Sequence, residues 1–128
     1  MQAQPLIAVS DVEASSRWYQ TVLGCKSGHG GPDYEQLMFE GHMILQLHRW
    51  DAHHHPHIGK PDVAIGNGAL LWFWTDDFDD AVERAATARA TVLEEPHENR
   101  NAQHREIWLR DPEGYVVVIA GPYGDVGM

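Results

Sequence analysis

The chain has 128 residues, of which 43 % are hydrophobic and 22 % are charged, and its formal net charge at pH 7 is −10. This length suits one compact domain with a real core, and the acidic balance argues against nucleic acid or an anionic membrane as the main partner. Because the chain shows neither a secretion signal nor an apolar stretch of membrane length, and Cys25 is its single cysteine, we expect a soluble cytoplasmic protein.

The first part of the chain is predicted to form a strand, a helix and three further strands. The apolar run at 6–9 has strand character, and Ser10 is predicted to cap a helix with Glu13 as its capping-box partner. Gly24 stands where a helix often ends in a left-handed residue. The apolar side of this helix is predicted to comprise Ala14, Trp18, Tyr19, Val22 and Leu23. Strands are then predicted around 25–30, at 34–40 and at 42–48, with a tight turn at Glu40 and Gly41 between the last two.

The same plan recurs after a connecting segment. A strand at 69–75 leads to Asp76 and Asp77, which can cap a helix that begins near Phe78. Strands are then predicted near 91–95, at 105–110 and at 115–120, with a polar loop through 98–102 and a turn at 111–114. The order βαβββ therefore occurs twice. One domain is predicted to contain a first module at 1–48, a histidine-rich connection at 49–67 and a second module at 68–122.

Two segments resemble a known family. VSDVEASSRWYQTVLG, at 9–24, resembles the first helix of the vicinal-oxygen-chelate superfamily, and REIWLRDPEGYVVVIAGP, at 105–122, resembles its terminal hairpin. That superfamily includes glyoxalase I, bleomycin-resistance proteins and extradiol dioxygenases. The resemblance implies an α+β fold in which two βαβββ modules curl a mixed sheet into a cup, with helices outside and the ligand inside. It also implies pairing into a homodimer.

In the metal-dependent members of that superfamily, four ligands line the cup. Matching by motif puts Gln4, Gln46, Leu70 and Val118 at the four positions. A shift of one residue would replace Gln46 with Leu45, and the third position falls on Leu70 or on a neighbour in GALLW. Amides bind divalent metals weakly and apolar side chains do not bind them. We therefore predict no metal cofactor. The alternative is a divalent Zn, Ni, Fe or Mn ion, with Gln4, Gln46 and His48 as its weak candidate ligands.

Five of the nine histidines lie between His48 and His57. Because this segment connects the modules, a solvated lid loop is the favoured interpretation of the cluster at 53–57, and adventitious binding of Ni²⁺ or Cu²⁺ is the other. His48 is predicted either to share a polar corner with Gln4 and Gln46 or to hydrogen-bond backbone or water at the rim. The isolated histidines, His29, His97 and His104, are expected at the surface.

Strand alternation places Leu70, Trp72 and Trp74 on one face, with Leu71 and Phe73 left to pack on the helices. A cup lined by indoles suits a planar apolar ligand. Trp108 lies between Ile107 and Leu109, and the sequence does not predict which face of the sheet it occupies. Arg105 and Glu106 resemble the pair that precedes the terminal hairpin in bleomycin-resistance proteins, and they are predicted either to act at the cup mouth or to form a surface ion pair. The predicted ligand-binding residues are Leu70, Trp72, Trp74, Trp50, Gln46, His48, Trp108, Arg105 and Val118.

Two functions are compatible with these features. The preferred one is a binding protein of the antibiotic-resistance type that holds an aromatic or peptide-like small molecule without a metal, aided by an acidic surface that attracts cations. The alternative is a metal-dependent lyase, isomerase or dioxygenase of the same superfamily. No catalytic residue is assigned, since Cys25 follows a helix end and the serines lie outside a nucleophile-elbow pattern.

Overall fold

The computed structural model describes residues 1–53, 55–100 and 103–122, and the chain divides into two compact units, Met1–Ile65 and Gly66–Met128. The first unit contains β1 (Leu6–Val9), α1 (Val12–Leu23), β2 (Lys26–Ser27), β3 (Tyr34–Phe39) and β4 (His42–Arg49). The second contains β5 (Leu71–Trp74), α2 (Phe78–Thr87), β6 (Thr91–Asn99), β7 (His104–Arg110) and β8 (Val116–Gly121). The predicted α+β fold with two βαβββ modules is confirmed. Among the described residues, neither helix has the length and apolar character that a membrane span requires.

The first unit is a four-stranded mixed sheet, in the order β1-β4-β3-β2, with α1 on one face. Ser16 of α1 donates a hydrogen bond to Glu35 of β3, which fixes the face that packs on the helix. Leu45 and Leu47, the register partners of Leu37 and Glu35, share that face and are fully buried. The helix-free face therefore carries the alternate residues, Tyr34, Gln36, Gln46 and His48.

The second unit repeats this arrangement in the order β5-β8-β7-β6, with α2 on one face. The guanidinium of Arg105 lies 4.8 Å from the ring centre of Phe78 in α2, so Arg105 is on the helix side of β7. His104, Glu106 and Trp108 alternate with it and lie on the other side. Register pairing through β8, Trp108 with Val118 and Val118 with Trp72, brings the tryptophans of β5 to that same helix-free face.

Local details differ from the predictions at three places. The cap of α1 is Asp11, whose carboxylate accepts a hydrogen bond from the Ala14 N–H at 2.9 Å, and not Ser10. In the same helix Ser15 and Ser16 are buried while Trp18 is half-buried, and the buried hydroxyl of Ser16 bonds the Glu35 carboxylate. Apolar periodicity does not report such a bond.

The third difference concerns β6, which continues to Asn99 although a polar loop was predicted from 98. Its last residues pair with β7, Glu98 with Arg105 and Asn99 with His104. Backbone pairing places no requirement on side-chain polarity when the strand is exposed, so the polar composition of this segment wrongly predicted a loop. Residues 101 and 102 of the predicted loop lie outside the described residues.

Candidate functional site

The helix-free face of the second unit concentrates aromatic side chains, which we name the tryptophan face: Trp72, Trp74, Trp108, His104 and Glu106. The ring of Trp72 lies edge-on to Trp108 at a centroid distance of 6.3 Å and to His104 at 5.7 Å. The ring of Trp74 also lies edge-on to His104, at a centroid distance of 5.9 Å. Such perpendicular pairs are the favoured packing of aromatic rings and fix their orientations.

A buried carboxylate lies within this aromatic cluster. Glu106 is only 3 % exposed, and it accepts hydrogen bonds from the indole N–H of Trp108 at 2.9 Å and from Asn99 at 3.3 Å. Nε2 of His104 lies 2.8 Å from the same carboxylate, and Nε2 of His97 lies 3.4 Å away. Burial by itself raises the pKa of Glu106, but the hydrogen bonds from Trp108, His104 and Asn99 outweigh it and lower the pKa below its ordinary value. The carboxylate is therefore held in its charged form.

The two tryptophans of β5 are unusually accessible for their type. Trp72 is 44 % exposed and Trp74 is 57 % exposed, whereas Val118 beside them on the same face is fully buried. Leu70, which precedes β5, is exposed as well. Indole surface left in water costs free energy, and a contiguous exposed apolar patch commonly marks a place where a ligand or partner binds.

Arg105 does not belong to the tryptophan face, although it was grouped with the predicted ligand-binding residues. Its guanidinium donates to the Asp79 carboxylate at 2.9 Å and to the Pro122 carbonyl at 3.0 Å, on the α2 side of the sheet. Arg105 thus forms a surface ion pair, with Asp79, while Glu106 points to the opposite face because adjacent strand residues alternate.

His104 is the residue that sequence reasoning missed, whereas Glu106 was considered as one alternative at the cup mouth. His104 was expected at the surface, yet it is 9 % exposed and bonded to Glu106. Alternation along β7 contained the signal, since His104, Glu106 and Trp108 are spaced by two. The direction of that stripe could not be assigned because Trp108 is flanked by two apolar residues that alternate with it.

In the first unit, Gln46 is the centre of a polar corner. The Tyr34 hydroxyl lies 2.5 Å from Oε1 of Gln46, and Nε2 of Gln46 donates to the backbone carbonyl of Gln4 at 2.9 Å. His48 lies on the same face, and its Nδ1 bonds the backbone carbonyl of Arg49 at 2.8 Å, as one alternative predicted, but with 4 % exposure it is buried. Trp50, in the turn after β4, belongs to this unit and is half-buried beside Gly59.

An open cavity of about 620 Å³ adjoins this corner. It is lined by Leu6, by residues 29–34, and by three histidines, His48, His53 and His55. Among these lining residues, the rings of His29 and Tyr34 are in edge-to-face contact, with centres 5.1 Å apart. The cavity therefore lies on the helix-free face of the first sheet.

The four positions that hold a metal in the metal-dependent relatives do not fit one in this chain. Both polar atoms of the Gln46 amide are already engaged. Val118 is apolar and fully buried, and Leu70 is apolar and exposed. Divalent metals require several imidazole or carboxylate ligands, which this set lacks.

Paired βαβββ units, each with a helix on one face of a mixed sheet, define the class of protein to which this chain belongs. Residues 2–119 match the model of the Glyoxalase/Bleomycin resistance protein/Dioxygenase superfamily. The chain is a member of that superfamily, as the two resembling segments predicted.

The individual relatives share only a modest fraction of this sequence. The chain is 26 % identical over 117 residues to Virulence protein STM3117 of Salmonella typhimurium, covering 90 % of this chain and 79 % of that protein. The crystal structure of that protein superposes with a TM-score of 0.72 at 23 % identity, covering 95 % of this chain and 96 % of the other.

Two further solved structures share the fold. A glyoxalase/bleomycin resistance protein/dioxygenase family enzyme from Burkholderia phytofirmans gives a TM-score of 0.75 at 24 % identity, over 92 % of this chain and 95 % of that chain. TioX from Micromonospora sp. ML1 gives a TM-score of 0.75 at 16 % identity, over 94 % of this chain and 98 % of that chain. Likeness at this identity establishes the fold alone, because fold does not determine chemistry.

Proposed function

We propose that this protein binds a planar aromatic small molecule that carries a positive charge, and that the tryptophan face is the binding surface. The observation that carries the proposal is the exposure of Trp72 and Trp74 on the helix-free face, next to a buried carboxylate. Binding at this surface requires no metal ion.

The chemistry of the face supports both parts of that ligand description. Exposed indoles stack on flat rings and gain the free energy of removing apolar surface from water. Indole faces also attract cations, and the charged Glu106 behind Trp108 adds to that attraction. The net charge of −10 favours the approach of a cation to the molecule as a whole.

A matched pair of probes tests the proposal. N-methylacridinium and acridine have nearly the same flat shape at neutral pH, but only the first is charged. Isothermal titration calorimetry is expected to give micromolar binding of N-methylacridinium at one site per chain and weaker binding of acridine. Trp72→Ala and Trp74→Ala should each weaken binding about tenfold or more, since each removes a stacking surface.

Trp18→Phe in α1 is the control, because Trp18 lies in the helix of the first unit. Its affinity for N-methylacridinium should equal that of the unchanged protein. Equal affinities for Trp72→Ala, Trp74→Ala and Trp18→Phe would disprove binding at the tryptophan face, and so would a failure of both probes to bind at micromolar concentration.

An exposed aromatic face can also be the interface with a second copy of the chain. We propose that the protein is a homodimer, as many members of the superfamily are, and that the dimer leaves Trp72 and Trp74 accessible. Sedimentation equilibrium should then give the same dimer for Trp72→Ala as for the unchanged chain. Dissociation of the Trp72→Ala and Trp74→Ala variants into monomers would instead identify the tryptophan face as the subunit contact.

The second candidate function is the metal-dependent lyase, isomerase or dioxygenase. The observation that favours it is the accumulation of Gln46, Tyr34 and His48 on one face next to an open cavity. Stoichiometric metal that survives dialysis of protein purified without a nickel column, and that Gln46→Ala removes, would favour this function over simple binding.

A further inference from the structure

We propose that His48, His53 and His55 form a binding site for a divalent transition-metal ion with an open coordination position toward the cavity. This site goes beyond the proposed ligand binding, and its residues differ from those of the tryptophan face. It also differs from the positions matched to the metal centre of the relatives, since all three histidines belong to the first unit.

The three imidazoles converge although they come from different segments. His48 is in β4, whereas His53 and His55 follow in the connecting loop. The ring centre of His48 lies 4.8 Å from that of His55 and 5.4 Å from that of His53. One potential ligand atom from each residue lies within 4.8 Å of the other two. Nitrogens that share a tetrahedral zinc ion are about 3.3 Å apart, so modest rotation of the exposed His53 and His55 rings completes the site.

The state of His48 is the second and independent observation. Its Nδ1 lies 2.8 Å from the backbone carbonyl of Arg49, a contact that requires Nδ1 to carry the proton. In the neutral ring, the lone pair then lies on Nε2. That atom is buried, and it has no hydrogen-bond partner among the described residues. A buried acceptor without a partner destabilises the fold, and a bound cation removes this cost.

The arrangement around His48 is the one that metal-binding histidines adopt. Such a histidine donates its second N–H to a carbonyl or carboxylate, which fixes the tautomer and orients the lone pair toward the metal. The bond from His48 to Arg49 supplies this contact. Arg49 is itself held in place, because its N–H donates to the Asp33 carbonyl and its side chain pairs with Asp33 at 3.0 Å.

The loop geometry is compatible with two ligands from one short segment. His53 adopts a left-handed backbone conformation with φ of 62°, which histidine tolerates better than most residues. Ala52 beside it is buried, and its N–H donates to the Arg49 carbonyl at 3.2 Å, so the loop is anchored at its start. His54 lies outside the described residues.

The donor set determines the class of ion. Three neutral imidazoles suit Zn²⁺, Co²⁺, Ni²⁺ or Cu²⁺, whereas Mg²⁺ and Ca²⁺ require oxygen ligands. Three protein ligands with a fourth position open to a cavity are typical of metal sites that bind water or an exogenous molecule, and structural sites are closed by four. The adjoining cavity of about 620 Å³ leaves room for that fourth ligand.

Cobalt serves as the probe because its ligand-field spectrum reports coordination directly. Titration of the full chain, produced without a histidine tag, should show saturable binding of one Co²⁺ per chain, and Zn²⁺ should displace it. The His53→Ala, His55→Ala double variant should weaken Co²⁺ binding at least about 100-fold, because even the loss of an outer-shell partner costs about 10–100-fold. Both residues are exposed, so the fold should persist and can be checked by circular dichroism.

His57→Ala is the matched control, because His57 is exposed in the same loop but lies outside the cluster. It should bind Co²⁺ as tightly as the unchanged chain. Equal loss in His57→Ala and in the double variant would show nonspecific binding by a histidine-rich loop and would overturn the proposal, as would the absence of saturable binding.

Two further measurements complete the test. Azide should shift the cobalt spectrum by entering the open position, and a spectrum that azide leaves unchanged would overturn that part of the proposal. Trp72→Ala should leave Co²⁺ binding intact, while the double histidine variant should leave N-methylacridinium binding intact. The metal site and the proposed ligand binding can therefore fail separately.

Discussion

The indole N–H of Trp108 donates a 2.9 Å hydrogen bond to Oε1 of Glu106, although the two residues are separated by one position on β7. This contact joins an aromatic ring on the helix-free face to a buried negative charge. It is the reason that the proposed ligand is a cation and not simply a flat apolar molecule.

Glu106→Gln should separate charge from shape. The substitution keeps the size of the side chain and an oxygen that can accept from Trp108, but it removes the negative charge. We expect the affinity for N-methylacridinium to fall about tenfold, which is about 1.4 kcal/mol, while the affinity for neutral acridine stays the same. Calorimetric titration of both probes measures the difference. An equal loss for the two probes would mean that Glu106 acts only through the packing of the tryptophans.

Glu35 should be the main carboxylate that stabilises the first unit. It accepts hydrogen bonds from the hydroxyls of Ser16 and Ser27, both at 2.7 Å, and from the backbone N–H groups of His29 and Gly30 at 3.1 and 2.7 Å. Glu35→Gln cannot accept all of these bonds. The free energy of unfolding should fall by about 3 kcal/mol, since one hydrogen bond to a charged group contributes about 1.5–3 kcal/mol. Urea denaturation measures it, with the exposed Glu83→Gln as the control.

The same carboxylate makes stability depend on pH. Burial by itself raises the pKa of Glu35, but the bonds from Ser27, Gly30, Ser16 and His29 outweigh it and lower the pKa below the ordinary 4.5. The folded state thus binds a proton less readily than the unfolded state. The contribution of Glu35 is fully present above pH 4.5 and is lost as the pH falls through the lower folded value. Urea midpoints measured down to about pH 3 should decline less steeply for Glu35→Gln. A decline as steep as that of the unchanged protein would contradict this account.

Gly121→Ala should destabilise the second unit. A Cβ at this position would lie 2.8 Å from the Thr75 carbonyl oxygen and 2.9 Å from Cβ of Phe78, so strand β8 and helix α2 would have to separate. Overpacking of this kind costs about 1–3 kcal/mol. Thermal or urea denaturation measures the loss.

Gly28→Ala is the comparison for that substitution. Its Cβ would approach Cγ of Met38 at 2.6 Å, but a methionine side chain can move more easily than backbone. We expect a smaller loss for Gly28→Ala than for Gly121→Ala. A larger loss for Gly28→Ala would show that the contact between β8 and α2 is not tightly packed.

Much of the fold followed from local patterns. Apolar periodicity, the acidic cap at Asp77 and the left-handed Gly24 fixed both helices and the doubled βαβββ order, because these signals act between residues that are close in sequence. The β6 strand was too short in the prediction because its polar end is held by backbone pairing with β7. Such pairing does not appear in composition.

For the candidate sites, alternation in the sequence alone predicts the shared face of Trp72 and Trp74, since a strand has a period of two. The residues that neighbour these two tryptophans come from another strand, so only the tertiary structure determines them. The register of β7 with β8 places Glu106 and His104 on the tryptophan face. His48 lies close to His53 and His55 because the chain turns back after β4. Contacts between segments depend on register and on the path of a loop, and a linear pattern of residue types encodes neither.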